Sequence, residues 1–78
     1  MRKQAYSILV YNNPGLLSRM AGLFSRRGYN IESITAGTTA DPRFTRITIV
    51  ASGDEQILSQ IEKQVRKMED VIEVKPLN

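Results

Sequence analysis

Hydrophobic and polar positions alternate from the start of the chain. In Gln4–Tyr11, Tyr6, Ile8 and Val10 fall on one side and Ser7, Leu9 and Tyr11 on the other. That period predicts a strand, and because both of its faces are partly apolar it is expected at the centre of a sheet. From Pro14 to Arg27 the period lengthens. Leu17, Met20, Ala21 and Phe24 form one stripe, widened by Leu16 and Leu23, with Ser18, Arg19, Ser25 and Arg26 opposite, the pattern of an amphipathic helix. A second strand is expected over Tyr29–Thr38, and a third over Phe44–Ser52, where Thr45, Ile47, Ile49 and Ala51 alternate with Arg46, Thr48 and Val50. The turn Thr39-Ala40-Asp41-Pro42 makes these two strands a hairpin. Gly53-Asp54 opens a second helix with the stripe Ile57, Leu58, Ile61, Val65 and Met68. Asp70–Lys75 is a last strand that Pro76 ends.

The order βαββαβ, with right-handed crossovers and one hairpin, predicts an α+β, ferredoxin-like sandwich: a four-stranded antiparallel sheet with both helices on one face. Leu9, Tyr11, Val50 and Val71 are expected on the face without helices. Asn13 is placed to cap the first helix, with Pro14 at its first position, and Gly28 to end it in the left-handed conformation. Asp54 suits the cap of the second helix, on which Glu62 and Arg66 form an i,i+4 pair. Gly22, in mid-helix, costs roughly 1 kcal/mol relative to alanine, so a close contact with its backbone is expected.

Composition changes this picture in two respects. At 78 residues the chain is read as one domain, residues 1–78, with a core that supplies only ~3–5 kcal/mol of net stability. It has no cysteine to add a disulfide or a thiolate metal site, so association into a homodimer is expected. The net charge of +3 is carried by interleaved acids and bases. That is no basic stripe, so nucleic acid is not an expected partner. No run is long enough to cross a bilayer, and Met1-Arg2-Lys3-Gln4 does not open a secretory leader. A cytoplasmic protein without a membrane partner is the expectation.

Without histidine or cysteine there is no ordinary metal centre, no Ser-His-Asp arrangement and no thiol nucleophile. The carboxylates Asp41, Asp54, Glu62, Glu69 and Asp70 fall on turns, caps and solvent faces. No catalytic residue, metal site or cofactor is therefore expected. What remains is the first strand-to-helix loop, Tyr11-Asn12-Asn13-Pro14-Gly15-Leu16-Leu17, and its echo Arg27-Gly28-Tyr29-Asn30. Free amides at a helix N-terminus suit a carboxylate. Gly15 would let a ligand approach the backbone, and Asn12 offers both a donor and an acceptor. The same residues also serve as ordinary turn-and-cap chemistry. Tyr6, Tyr11 and Phe44 invite comparison with RNA-binding domains of the same architecture, but Arg43–Val50 lacks the Gly-aromatic pattern of an RNA-reading strand.

Leu9-Val10-Tyr11-Asn12-Asn13-Pro14-Gly15-Leu16-Leu17-Ser18-Arg19 resembles the start of an ACT domain. The run Ala21-Gly22-Leu23-Phe24-Ser25-Arg26-Arg27-Gly28-Tyr29-Asn30-Ile31-Glu32-Ser33-Ile34-Thr35 is more particular. With Asp41-Pro42, Arg46-Ile47-Thr48-Ile49-Val50, Ser52-Gly53-Asp54-Glu55 and Gln60-Ile61-Glu62-Lys63-Gln64, it resembles the small regulatory subunit of acetohydroxyacid (acetolactate) synthase over nearly the whole chain. The resemblance implies a non-catalytic feedback sensor for branched-chain amino acids, chiefly valine, that acts on a separate thiamine-diphosphate-dependent catalytic large subunit. It also implies side-by-side pairing of two ACT domains around the effector. Asn12, Gly15, Leu16 and Ser18 would come from one chain, and Asn30 and Ile31 from its partner. Longer members of that family carry a second domain, so a short subunit or a shortened form is expected here. A free-standing ACT-type module with another effector or partner is the alternative, and a small RNA-binding protein a more distant one.

Overall fold

Six elements follow the expected order: β1 (Arg2–Tyr11), α1 (Leu16–Arg27), β2 (Asn30–Thr38), β3 (Phe44–Gly53), α2 (Glu55–Arg66) and β4 (Val71–Leu77). The structure is a computed structural model that describes residues 1–77. The strands form one antiparallel sheet in the order β2-β3-β1-β4. β1 is central, as its two-sided pattern requires, and β2 and β4 are the edges. Tyr6, Ile8 and Val10 of β1 and Ile47, Ile49 and Ala51 of β3 are buried together with Leu16, Met20 and Phe24 of α1 and Leu58, Ile61 and Val65 of α2. The Tyr6 hydroxyl donates to the Leu58 carbonyl at 3.1 Å and ties the central strand to α2. This is the ferredoxin-like α+β sandwich.

Several local expectations hold. Gly28 ends α1 at φ 68°, where only glycine sits without penalty. The Asp54 carboxylate accepts the Ile57 N–H at 2.8 Å as the cap of α2. Glu62 and Arg66 pair at 2.8 Å, and Arg66 also donates to the Val74 carbonyl at 2.9 Å, joining α2 to β4.

Other expectations are corrected. Val71 is not on the uncovered face. An irregularity opposite Leu9/Val10 shifts the register so that Val71 pairs with Val10 and packs against the core. An extra residue inverts the facing of everything beyond it. Pro76 does not end β4 but pairs with Tyr6 inside it, which an edge strand tolerates because no further strand needs the missing N–H. The buried stripe of α1 is Leu16, Met20 and Phe24, while Leu17 is 38% exposed and Ala21 is exposed. The helix is thus rotated from the expected stripe toward Leu16. The uncovered face is also less apolar than expected. Leu9 lies between Arg46 and Glu73, and Arg46 donates to Ser7 at 2.7 Å.

Gly22 has no close backbone contact. An added Cβ would meet only the flexible end of Arg26, at 3.4 Å. Gly22→Ala is therefore expected to stabilise the protein by about 0.5–1 kcal/mol through helix propensity, seen as a higher melting temperature. A lower one would mean that something else packs on that turn.

The β2–β3 loop carries the clearest titration. The Arg43 side chain, and then its backbone N–H, hydrogen-bond the Asp41 carboxyl and hold it down at about 2. Its folded value lies below the unfolded one of about 4, so this contribution to stability is present above that value and lost as the pH falls from about 4 toward 2. Asp41→Asn is expected to flatten that part of an acid melting profile, measured beside the unaltered protein.

Candidate functional site

The first loop is a turn closed twice by Asn13. Its carbonyl accepts the Leu16 N–H at 3.0 Å and its Oδ1 accepts the Gly15 N–H at 3.0 Å. With Gly15 at φ −82°, ψ −10°, Pro14 and Gly15 have the geometry of the central pair of a type I turn. The helix consequently begins at Leu16 with Gly15 in the cap position, two residues later than the sequence suggests. Asn13 is a turn residue rather than the helix cap. Its side chain reaches a neighbour two residues on, the local bond that asparagine favours in turns. The amides of Gly15 and Leu16 are thereby engaged inside the loop. Arg19 N–H makes the first bond to the loop, to the Gly15 carbonyl at 3.1 Å. The N–H groups of Leu17 and Ser18 remain as the first-turn donors available to an anion.

A residue from the far end of the chain holds this loop. The Asp70 carboxylate accepts from Asn13 Nδ2 at 2.9 Å and from Arg19 Nη2 at 3.2 Å, and its carbonyl accepts the Tyr11 N–H at 2.9 Å. Asp70 does this at φ 74°, a left-handed conformation that aspartate adopts more readily than most residues. Its side-chain partners lie 57 and 51 residues away, so no local pattern marks the role.

Asn12 is exposed beside the turn. Its N–H donates to the Arg43 carbonyl at 2.8 Å, and its Oδ1 accepts from the Thr45 hydroxyl at 3.2 Å. A cavity of about 360 Å³ opens there, with Ala36, Gly37, Thr38 and Phe44 in its wall. Ser18 is exposed on the first turn, whereas the Leu16 side chain is 1% exposed and belongs to the core. Leu16 thus reaches the loop only through its backbone.

Asn30 and Ile31 begin β2. Asn30 is exposed and its Nδ2 donates to Ser52 Oγ at 2.6 Å. Ile31 is half-buried against the core. Both border a second cavity of about 350 Å³, whose other walls are mainly Ala21, Phe24, Tyr29 and Ile34. Within one chain the two groups are far apart. Asn30 and Lys3 both lie level with Ser52, while Asn12 follows Tyr11 at the opposite end of β1. Nine residues of strand separate the two levels, about 30 Å. The structure thus brings Asn12, Gly15, Leu16 and Ser18 together, and Asn30 with Ile31, but does not join the two sets.

A βαββαβ sandwich with a helix N-terminus opening beside an uncovered sheet edge has the architecture of an ACT domain. The chain belongs to the AHAS small subunit-like ACT domain family, whose model matches residues 6–73. It is 52% identical over 75 residues to the acetolactate synthase isozyme 3 small subunit of Escherichia coli, an alignment spanning 96% of this chain and 46% of that protein. To a probable acetolactate synthase small subunit of Methanothermobacter thermautotrophicus it is 54% identical over 71 residues, 91% of this chain and 42% of the relative. The crystal structure of the acetolactate synthase small subunit from Thermotoga maritima superposes with a TM-score of 0.90 at 42% identity, covering all of this chain and 48% of that one. The chain thus spans about half the length of the relatives it matches.

Proposed function

We propose that this chain is the effector-sensing ACT domain, residues 1–78, of a regulatory small subunit of acetolactate synthase. On this reading a branched-chain amino acid, valine foremost, binds between two copies and transmits feedback control to a cytoplasmic, thiamine-diphosphate-dependent catalytic large subunit. The relatives named as acetolactate synthase small subunits support the partner. In this chain no helix among the described residues is long and apolar enough to cross a membrane.

One observation carries the proposal: the separation of the two half-sites along an unpaired edge. Among the described residues β2 pairs only with β3 and leaves a row of backbone donors and acceptors open. Antiparallel pairing of β2 with its copy, about a two-fold axis at Ile34, sets Asn30 opposite Thr38 of the other chain. Thr38 borders the cavity beside Asn12. The same operation therefore joins each first loop to the other copy's Asn30 and Ile31. The first turn then faces the effector's carboxylate through the N–H groups of Leu17 and Ser18, next to Asn12 and Gly15. Ile31, Ile34, Phe24 and Ala21 supply an apolar wall for a branched side chain.

Sedimentation at micromolar concentration beside a calorimetric titration with valine tests this reading. A dimer that binds valine is the expected result. A folded monomer, or a dimer indifferent to all of the branched-chain amino acids, overturns it.

A further inference from the structure

We propose that the groove between α1 and α2 is the docking surface for an acidic, amphipathic helix of the acetolactate synthase large subunit. This rests on the reading above for the identity of the partner. The groove itself shares no residue with the β2 edge at which two copies would pair.

A cavity of about 400 Å³ opens between the helices, lined by Arg19, Leu23 and Arg26 of α1 and by Gln64, Lys67 and Met68 of α2 and the turn that follows it. Leu23 and Met68 are half-buried against the core and form an apolar floor. A methionine adapts its shape to a partner more readily than a branched side chain does. Cations stand around this floor. Arg19 is held by Asp70 and Arg66 by Glu62. Arg26, Arg27, Lys63 and Lys67, by contrast, have no carboxylate partner among the described residues. Glu69 is exposed and does not line the cavity. Charges that alternate along the chain are thus sorted by the fold, and the helix layer is left with unpaired positive ones. Such a surface attracts and orients a partner that carries carboxylates.

Gly22 is an independent pointer to the same place. It lies one turn from both Arg19 and Arg26 and weakens the helix that contains it. Nothing within the chain needs the space, since an added Cβ would meet only the movable end of Arg26, at 3.4 Å. Nor does its backbone need it, because the positive-φ glycine is Gly28. A glycine that its own fold does not use lets a second backbone come close. That second backbone suits a helix. The groove walls are helices whose backbone groups are largely bonded internally, so an extended peptide would find few partners there. A helix satisfies its own groups and lays a ridge of side chains between the two walls. A nucleic acid would find no aromatic side chain in the groove on which to stack a base.

The test is a calorimetric titration of the cognate large subunit with the protein at low and high salt, with a melting curve and sedimentation of every variant. The unaltered protein is expected to bind, and less tightly as salt rises. Arg26→Glu and Lys67→Glu are each expected to weaken the complex at least tenfold. Lys75→Glu, the same change of charge on β4, is expected to stay within about threefold. Gly22→Gln is expected to weaken the complex at least tenfold while raising the melting temperature, a combination that a helix glycine without a partner would not give. Unchanged affinity in Arg26→Glu, Lys67→Glu and Gly22→Gln would overturn the groove and leave the partner standing. Absence of any complex with the unaltered protein would overturn the docking and the partner together. Loss of self-association in these variants would put a second copy in the groove. Weakened binding of a single-stranded oligonucleotide, with the large subunit bound as before, would make it a nucleic-acid surface. Either result overturns the proposal.

Discussion

Gly15→Asp is expected to reduce valine affinity at least a hundredfold while leaving the melting temperature unchanged or slightly raised. Gly15 sits at φ −82°, ψ −10°, a conformation open to any residue, so its lack of a side chain is not needed for the backbone angles. A Cβ there would lie 3.3 Å from Arg19 Nη1 and 3.6 Å from Asn13 Oδ1, and the guanidinium can move aside. Aspartate is among the preferred residues at a helix N-cap, and its charge favours the dipole by ~0.3–1 kcal/mol. Folding therefore has nothing to lose. On the proposed function binding does, because the new carboxylate would occupy the place of the effector's own and repel it. A hundredfold loss corresponds to about 3 kcal/mol. Calorimetric titration and a melting curve on one sample decide the matter. A large fall in stability would assign Gly15 to the fold, and unchanged affinity in a stable variant would move the site elsewhere.

Ile8→Ala is expected to leave the isolated protein largely unfolded at low concentration. Ile8 is fully buried on the central strand, with Ile47 and Val74 as its cross-strand neighbours. Truncating such a side chain costs about 2–5 kcal/mol, comparable to the ~3–5 kcal/mol a core of this size supplies. The proposed dimerisation and effector binding would act on the folded form only. Raising the protein concentration, or adding valine at a hundredfold excess over its Kd, worth about 2.7 kcal/mol, should recover the helical circular-dichroism signal. A variant that melts within a few degrees of the unaltered protein at all concentrations would show that the core is not marginal.

The elements of the fold were legible because each is written in a local period. Tyr6, Ile8 and Val10 announce a strand with two apolar sides. Met20 and Phe24, or Leu58, Ile61 and Val65, announce a helix face. Gly28 and Asp54 mark helix ends through bonds that span three or four residues. The loop residues Asn12, Gly15 and Ser18 could be singled out for the same reason, since a turn before a helix is a short-range feature. The Asn13 cap was misplaced by two positions and the Leu17 stripe by one. Where α1 starts is settled by the Asn13 turn, and which face of it is buried is settled by the sheet it packs on, and neither has a unique local signature.

The sequence by itself determined the order βαββαβ, the two helix faces, the centrality of β1, and membership in a family through residues spread over nearly the whole chain. Only the tertiary structure decided what depends on pairs distant along it. The shifted register of β4 turned Val71 into the core. The edge position of β4 allowed Pro76 inside a strand. Asp70 came back to brace a loop 57 residues earlier, and the register of β1, β2 and β3 placed Asn12 and Asn30 at opposite ends of the sheet. Periodicity reports which side of an element is apolar, because neighbouring side chains share that constraint. It carries no information on register across strands, which is fixed only when the whole sheet closes over its core.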